Sequence, residues 1–220
     1  MTKALVILSG GIDSTVLLYD LIDQGYDVEA ITFHYGQKHS KEISSAKATC
    51  AILDIPQKIV RLEGIEDLIH GSALIGDKDI PEGHYEDESM KSTVVANRNS
   101  IFINLAMAYA ITKKIRTIAY GAHAGDHAIY PDCRPVFVER IQALAEVVDY
   151  DPLNIIVPYL HWKKQDIVKK GAELGVDFDY TWSCYKGQRL HCGRCGTCVE
   201  RIEAFKLAGV EDPTKYMEVK

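Results

Sequence analysis

Ser9-Gly10-Gly11-Ile12-Asp13-Ser14 stands between an apolar run, residues 4–8, and an apolar-rich segment, residues 14–22. The run is typical of a buried parallel strand, and the segment is typical of a helix that Gly25 can end. The order is therefore strand, glycine-rich turn and helix N-terminus. The glycines let the backbone approach a ligand closely. The unpaired N–H groups and the dipole of the helix attract an anion, most often phosphate.

This loop differs from two common phosphate-binding motifs. The sequence has neither the spacing and lysine of a Walker A loop here nor a G-x-G-x-x-G dinucleotide motif. The loop resembles the SGGxDS loop of the ATP pyrophosphatase (PP-loop) superfamily, whose members bind ATP, adenylate a substrate oxygen and release pyrophosphate. The alternative is a turn that only joins a strand to a helix. The resemblance implies ATP contacts from Leu8, Ser9, Gly10, Gly11, Ile12, Asp13, Ser14 and Thr15.

The composition predicts an ordinary globular protein of the cytoplasm. The 220 residues suit one domain, or one domain with a small appendage, and 47% of them are hydrophobic and 25% charged. A formal net charge of −6 argues against a stable nucleic-acid partner, because such partners usually bind a basic surface. The sequence contains no stretch typical of a signal peptide or a membrane span, so we expect no membrane association.

Predicted elements alternate between strands and helices along the chain. Alternation of this kind indicates an α/β fold with a doubly wound parallel sheet and helices on both faces. The strands are predicted at residues 3–8, 27–35, 57–62, 116–121 and 154–157, and the helices at residues 13–24, 40–53, 99–112, 136–148 and 163–174. We divide the chain into an ATP-binding domain, residues 1–180, and a helical, cysteine-rich tail, residues 181–220.

Ligands of such sheets bind at the carboxyl ends of the strands. We therefore expect the glycine loop to share one face with residues 33–39, 121–134 and 158–161. The long polar stretch at residues 71–92 exceeds an ordinary connection, which favours either a functional lid or partial disorder.

The C-terminal region contains a cysteine cluster with the spacing C-x7-C-x2-C-x2-C. Two-residue gaps let neighbouring thiolates reach one metal, and four sulfurs fill a tetrahedral zinc site with no open position. An iron–sulfur cluster is the alternative, but its fourth cysteine usually follows after three residues and precedes a proline. We favour one structural Zn²⁺ per chain, held by Cys184, Cys192, Cys195 and Cys198.

Several other polar residues follow predicted strands. Residues 121–134 contain two His, two Asp, an Arg and a Tyr, and carboxylates such as these suit purine-like N–H donors. Arg98 begins a predicted helix and has a guanidinium suited to phosphate or carboxylate. Lys163 and Lys164 begin a later helix and are candidates for phosphate contact. For the loop residues the alternative role is helix or turn capping, and for Arg98, Lys163 and Lys164 it is that of a solvated surface residue.

Nearly the whole chain is similar to one subgroup of PP-loop proteins, the 7-cyano-7-deazaguanine synthases of queuosine and archaeosine precursor synthesis. The similarity extends from the glycine loop to the cysteine cluster. It includes the segments 35–39 (YGQKH), 97–99 (NRN), 130–134 (YPDCR) and 181–184 (TWSC). Two positions differ from the subgroup. Lys38 stands where the subgroup usually has arginine, and Val95-Ala96 replaces the proline-containing residues that usually precede the NRN segment.

The resemblance implies a mechanism, a set of ligands and an assembly. ATP with Mg²⁺ adenylates the carboxylate of 7-carboxy-7-deazaguanine, ammonia gives the amide, and a second adenylation gives the nitrile. The members of this subgroup are homodimers, so the resemblance implies a homodimer here. Catalytic roles are implied for Asp13, Ser14 and Arg98, with Asp13 orienting the loop or holding Mg²⁺. Recognition of the deazaguanine is implied for Asp126, Tyr130, Asp132 and Arg134.

Two other classes of function compete with this interpretation. A PP-loop enzyme that modifies tRNA by thiolation or amidation would need a basic surface and, for thiolation, a reactive cysteine. A non-enzymatic zinc-ribbon adaptor would leave the intact ATP loop unexplained.

Overall fold

The computed structural model describes residues 1–218 and contains five strands and six α-helices in that range. The strands alternate with the first five helices, as the sequence predicts. The strands are β1 (Lys3–Ile7), β2 (Asp27–His34), β3 (Gln57–Arg61), β4 (Thr117–Ala119) and β5 (Asn154–Ile156). The helices are α1 (Ile12–Asp23), α2 (Lys41–Ile52), α3 (Arg98–Lys113), α4 (Pro135–Ala145), α5 (Lys164–Glu173) and α6 (Gly196–Ala208).

The five strands form one parallel sheet in the order β3-β2-β1-β4-β5. The sheet confirms the predicted α/β class. Strand β1 lies at the centre, paired with β2 from Lys3 opposite Asp27 and with β4 from Ala4 opposite Thr117. The chain order reverses between β1 and β4, and in such sheets a ligand crevice opens at this position. The glycine loop follows β1 directly at this crevice.

Two hydrophobic clusters cover the two faces of the sheet. One includes α1, α5 and α6, with Val16, Ile167 and Phe205 among its buried members. The other includes α3 and α4, with Ile103 and Ile141. Apolar side chains alternate between the faces along β1, so that both sides of the central strand are buried.

Helix α6 belongs to the main core as well as to the cysteine region. Its Ala204 and Phe205 are buried in the α1–α5 cluster, and Phe205 meets Phe178 edge to face at 4.9 Å. Arg201 of the same helix is fully buried. The proposed division of the chain at residue 180 remains a prediction, but the tail buries its own side chains in the core of the first part.

The β3–α3 connection, residues 62–97, packs against the cysteine knuckle, residues 184–198. Ile75, Ile80 and Val95 are buried in a third hydrophobic cluster together with the four clustered cysteines. The polar stretch at residues 71–92 is therefore folded onto the knuckle, although little of it is helix or strand. Its one regular element is a 3₁₀ helix, Glu88–Thr93.

Some element ends differ from the sequence predictions. Helix α4 ends at Ala145, three residues before the predicted end, because the amide of Leu153 bonds to the Ala145 carbonyl and the chain turns there toward β5. Helix α6 begins at Gly196, so that Cys198 lies in its first turn.

Candidate active site

The glycine loop is held in shape by its two serines. The Ser9 and Ser14 hydroxyl oxygens lie 3.0 Å apart, and the Ser9 amide donates to the Ser14 hydroxyl at 3.1 Å. The Gly11 amide donates to the Ser9 hydroxyl at 3.2 Å. The serines therefore brace the turn from within, in addition to any contact that they make with a ligand.

The N-terminus of α1 leaves backbone donors open to the cleft. The first amide of this helix to bond within the chain is that of Thr15, which donates to the Gly11 carbonyl at 3.2 Å. Gly11 is the N-cap residue and provides no side-chain cap. The preceding N–H groups, with the helix dipole behind them, are arranged as an anion site would require, and the anion site itself stays a prediction.

Gly10 is fixed by the close approach of α2. Its φ is +93°, and a Cβ built there would lie 2.0 Å from the Glu42 carbonyl oxygen. The Trp182 amide donates to the Gly10 carbonyl at 2.9 Å. The phosphate loop is thus joined to α2 on one side and to the segment that precedes the knuckle on the other.

A single cleft at the carboxyl ends of the strands contains the loop. Many of its other lining side chains belong to three groups. The first group is apolar and comes from the strand ends and α3: Ile7, Phe33, Phe102, Tyr120, Ala122 and Cys133. The second is charged: Asp13, Asp126, Lys164 and Glu200. The third comes mainly from the knuckle and the β3–α3 connection: Tyr85, Met90, Trp182, Ser183, Tyr185 and Thr197.

The charged group is organised around Lys164 and His123. The Lys164 ammonium lies 2.7 Å from Asp13 and 3.5 Å from Glu200. The buried His123 ring has Nε2 3.6 Å from Asp126 and 3.8 Å from Glu200. Three carboxylates thus converge near the phosphate loop, where only one lysine faces them.

Burial and pairing oppose each other within this group. Burial disfavours the charged form of Asp13, but Lys164 and His123 outweigh it and hold the pKa of Asp13 below its usual value. Burial likewise disfavours a charged Lys164, yet the surrounding carboxylates raise the pKa of Lys164. Burial raises the pKa of Glu200, and Lys164 offsets only part of that effect. The Asp13 Oδ1 atom is buried and has no hydrogen-bond partner among residues 1–218.

Arg98 lies among tyrosines on the opposite side of the cleft. Burial raises the pKa of Tyr35, and the neighbouring Arg98 offsets part of the rise. The Tyr130 hydroxyl lies 3.2 Å from that of Tyr185 and 2.8 Å from that of Thr93. A chain of hydroxyl groups therefore links three distant segments of sequence beside the Arg98 guanidinium.

The four residues predicted to bind the substrate form two pairs that lie in different places. Asp126 and Tyr130 line the cleft. Asp132 and Arg134 are not among its lining residues: Asp132 accepts from the Asn99 amide at 3.0 Å, and Arg134 donates to the His127 carbonyl at 2.8 Å. The second pair supports the loop that holds the first.

Of the segments expected on the ligand face, residues 158–161 do not line the cleft. Tyr159 is buried and donates to Asp20 at 2.9 Å, away from the phosphate loop. Lys164, at the start of the following helix, reaches the cleft in their place, whereas Lys163 is exposed. Cys133 lines the cleft, but burial raises the pKa of its thiol, which does not suit a nucleophile.

Sequence reasoning assigned no role to several polar residues of the cleft, among them Glu42, Glu200 and Tyr185. Each lies in or beside an element that comes to the cleft from a distant part of the sequence. Tyr185 directly follows the recognised TWSC segment, which is the one signal that could have drawn attention to it. Glu42 and Glu200 lie in helices of mixed composition without a clear apolar face, and they carry no local signal.

The four clustered cysteines meet in space as predicted. Their sulfur atoms lie within 4.8 Å of one another, and all four residues are buried. The 3.9 Å between the Cys192 and Cys198 sulfurs is near the edge of about 3.8 Å that four Zn–S bonds of about 2.3 Å would give. The Cys195 amide donates to the Cys192 sulfur at 3.3 Å. The donor set therefore fits a closed tetrahedral metal site.

Glu82 of the β3–α3 connection joins two basic residues of the knuckle. Its carboxylate pairs with Lys186 and, at 3.2 Å, with Arg194. The Gly83 amide donates to the Arg194 carbonyl at 3.0 Å. The connection and the knuckle thus form one continuous wall of the cleft.

Solved structures share this fold at low sequence identity. A structure of NMN synthetase from Francisella tularensis aligns with a TM-score of 0.52 at 14% identity, over 96% of this chain and 78% of the other. A structure of a 4-thiouridine synthetase in complex with RNA and ATP aligns with a TM-score of 0.51 at 20% identity, over 80% and 41%. The fold and the glycine loop together define the class: an α/β protein of the PP-loop type.

Sequence comparison identifies the family. The family described as "Queuosine biosynthesis protein QueC" matches residues 3–209. Two similar curated proteins are named 7-cyano-7-deazaguanine synthase. One, from Methanoregula boonei, is 58% identical over 97% of this chain and 99% of its own; another, from Caldicellulosiruptor bescii, is 53% identical over 97% of each. The chain belongs to the QueC family, and the resemblance found in the sequence is confirmed.

The structure also bears on the membrane expectation. Among residues 1–218, the longest helix is α3, and none combines the length and apolar character of a membrane-spanning helix.

Proposed function

We propose that this protein is a 7-cyano-7-deazaguanine synthase that converts 7-carboxy-7-deazaguanine and ammonia to the nitrile with ATP. The observation that carries the proposal is the placement of an open helix N-terminus, a charged group and a base-sized apolar wall in one cleft. Family membership and the names of the relatives support the same reaction.

ATP fits the cleft by its chemistry. The N–H groups at the start of α1 suit the departing pyrophosphate, since they are preorganised and need no rearrangement. The stacked rings of Phe33 and Phe102, with centroids 4.4 Å apart, are part of an apolar wall suited to the adenine. The carboxylate of the substrate attacks the α-phosphate, and pyrophosphate leaves.

Two adenylation steps account for the nitrile. Ammonia attacks the first acyl adenylate and displaces AMP, which gives the amide. The amide oxygen is then adenylated by a second ATP, and loss of AMP with two protons leaves the carbon–nitrogen triple bond. None of these steps requires a protein nucleophile, so the protein acts by positioning and charge stabilisation.

Mg²⁺ with ATP fits the charged group. The buried, unpartnered Oδ1 of Asp13 is an available oxygen ligand, and Asp126 lines the cleft near it. Bound there, Mg²⁺ would neutralise charge on the phosphates. Asp13 and Asp126 would hold the ion, Lys164 would keep Asp13 ionised, and Ser14 would brace the loop.

The four cysteines suit Zn²⁺ in a structural role. The site is buried and has four sulfur donors, so no position is left for a substrate. Its function would be to hold the knuckle wall of the cleft. Reduced cysteines throughout residues 1–218 support a cytoplasmic location. A homodimer is proposed on the family resemblance alone.

Mass spectrometry of a reaction with ATP, Mg²⁺, ammonium and 7-carboxy-7-deazaguanine tests the proposal. The expected products are the nitrile, AMP and pyrophosphate, with two AMP per nitrile. Protein with its metal intact that gives no substrate-dependent AMP would contradict it. Binding of tRNA on a native gel under those conditions would direct attention to the tRNA-modifying alternative.

A further inference from the structure

Glu42 is a carboxylate of the cleft that has no partner. Among residues 1–218 its side chain forms no hydrogen bond and no ion pair, although it lines the cleft beside the phosphate loop. Its backbone carbonyl is packed against Gly10, which fixes the position of this residue relative to the loop. Glu42 is half-buried in the wall of the cleft, so a ligand that excludes water from its carboxylate must supply hydrogen-bond donors in return.

The surroundings of Glu42 separate it from the charged group. The charged and titratable groups near Glu42 belong to the other side of the cleft. The Arg98 guanidinium favours the charged form of Glu42. Glu42 in turn disfavours ionisation of Tyr35 and Tyr185. Burial outweighs the effect of Arg98 and raises the pKa of Glu42 to about 7. N–H donors from a ligand would favour the ionised form.

The other carboxylates of the cleft are already engaged. Asp13 pairs with Lys164, Glu200 lies between Lys164 and His123, and Asp126 is 3.6 Å from His123. Asp126, one of the two aspartates that the sequence offered for purine-like donors, thus belongs to the phosphate side. Glu42 is the free acceptor among the described lining residues that carry a carboxylate.

A deazaguanine and an adenine differ in what they offer to a carboxylate. The deazaguanine edge presents the ring N1–H and the 2-amino group side by side, so both oxygens of one carboxylate are satisfied. Adenine presents one donor beside an acceptor, which an ionised carboxylate cannot match. The adenine of ATP therefore leaves Glu42 unsatisfied, whereas the second ligand satisfies it.

We infer that Glu42 is the specificity-determining residue that accepts hydrogen bonds from the N1–H and 2-amino groups of the 7-deazaguanine substrate. This inference rests on the proposed function for the identity of the substrate. It assigns to Glu42 the role that the sequence suggested for Asp126.

Calorimetric titration with two ligands tests the inference. One is 7-carboxy-7-deazaguanine and the other is its analogue without the 2-amino group. The wild-type protein should prefer the first by about 100-fold, because the analogue leaves a charged acceptor unpaired. Glu42→Gln should weaken binding of the first ligand by about 30-fold or more and reduce the preference to less than about threefold.

Lys47→Gln is the matched control, because Lys47 lies on the exposed side of the same helix. It should keep the wild-type preference. ATP titration and thermal unfolding show whether Glu42→Gln is folded, and Glu42→Asp provides a second variant that keeps the charge and should retain part of the preference.

The outcomes separate this inference from the proposed reaction. A wild-type preference that survives in folded Glu42→Gln would overturn the inference, even where the wild-type protein makes the nitrile. A wild-type protein that makes no nitrile but shows the preference, lost in Glu42→Gln, would contradict the reaction and support recognition by Glu42. A wild-type protein that does not bind the first ligand would contradict both.

Discussion

The Lys164 ammonium lies 2.7 Å from the Asp13 carboxylate, although 151 positions separate the two residues in the sequence. Asp13 belongs to the phosphate loop, and Lys164 begins α5 after the last strand of the sheet. The pair therefore forms only when the whole sheet is assembled. It fixes the charge of the loop carboxylate in a buried setting where an unpaired carboxylate would tend to protonate.

Replacing Lys164 should strongly reduce the rate of the proposed reaction. In Lys164→Met, burial of Asp13 is no longer offset by the ammonium, so the pKa of Asp13 rises and three carboxylates repel one another. We expect kcat/KM to fall by about 100-fold or more, measured as pyrophosphate release. Lys169→Met, at an exposed position of the same helix, should leave the rate within about twofold. Equal rates for the two variants would contradict a role for Lys164.

Gly10 and Gly25 offer a matched test of the loop geometry. Both have φ near +90°, but a Cβ at Gly10 would meet the Glu42 carbonyl at 2.0 Å, whereas one at Gly25 meets nothing within 4 Å. Gly25→Ala should cost about 1 kcal/mol of unfolding free energy, from backbone strain alone. Gly10→Ala should cost at least about 2 kcal/mol more and should abolish ATP binding. Denaturant unfolding with ATP titration measures both, and similar losses would show that α2 yields easily.

Removal of one clustered cysteine should lower both the metal content and the thermal stability of the protein. In Cys195→Ser, one of four buried sulfur ligands is removed, and the remaining site cannot close a tetrahedron. We expect metal content by mass spectrometry to fall from the proposed one Zn²⁺ per chain to near zero, and Tm to fall by about 10 °C or more. Cys50→Ser, in α2 and outside the cluster, should keep full metal content. Retained metal in Cys195→Ser would contradict the four-ligand site.

Glu42 should also make the stability of the protein depend on pH. Its pKa in the folded protein is about 7, against an ordinary value of 4.5, so the folded state binds this proton more tightly than the unfolded state. A raised carboxyl pKa destabilises the fold as pH rises through this interval, and the penalty is absent below it. Glu42→Gln should therefore match wild-type Tm near pH 4.5 and exceed it by about 3–6 °C at pH 8. An identical difference at both pH values, or none in the folded variant at pH 8, would show that Glu42 is paired.

Arg201 should be the most sensitive structural residue of the tail. It is fully buried and donates to Asp212 at 3.1 Å, to Thr181 at 2.8 Å and to the Phe178 carbonyl at 3.3 Å. Arg201→Met would leave Asp212 without its charge partner, so we expect a loss of about 3 kcal/mol or more in unfolding free energy. Arg140→Met, at an exposed position of α4, should change it by less than about 0.5 kcal/mol. Urea unfolding distinguishes the two.

Much of the fold follows from local patterns in the sequence. The buried strands are short apolar runs, and the glycine loop follows the first of them, so the order of strands along the chain and the position of the loop at the cleft were predictable. The cysteine spacing likewise indicated the ligand set, because each pair of neighbouring ligands is close in sequence. The element ends were less predictable, as at Ala145, where a tertiary hydrogen bond stops α4.

The substrate side of the cleft was less predictable for a different physical reason. Glu42, Tyr185 and Glu200 come from three separate segments, and no local period or spacing marks them. Asp132 and Arg134 have a strong local signal, yet they support the loop from behind the cleft. Side-chain type near a strand end thus predicts the neighbourhood of a site, while the direction of each side chain depends on packing.

The wall shared by the knuckle and the β3–α3 connection has a consequence for the order of events during synthesis. All five strands are complete by Ile156, but Trp182, Tyr185 and Thr197 are still to be made. Chains emerge from the ribosome N-terminus first, so the residues of all five strands are made before those of the knuckle. The β3–α3 connection can therefore pack against its partner only after the last quarter of the polypeptide has been made.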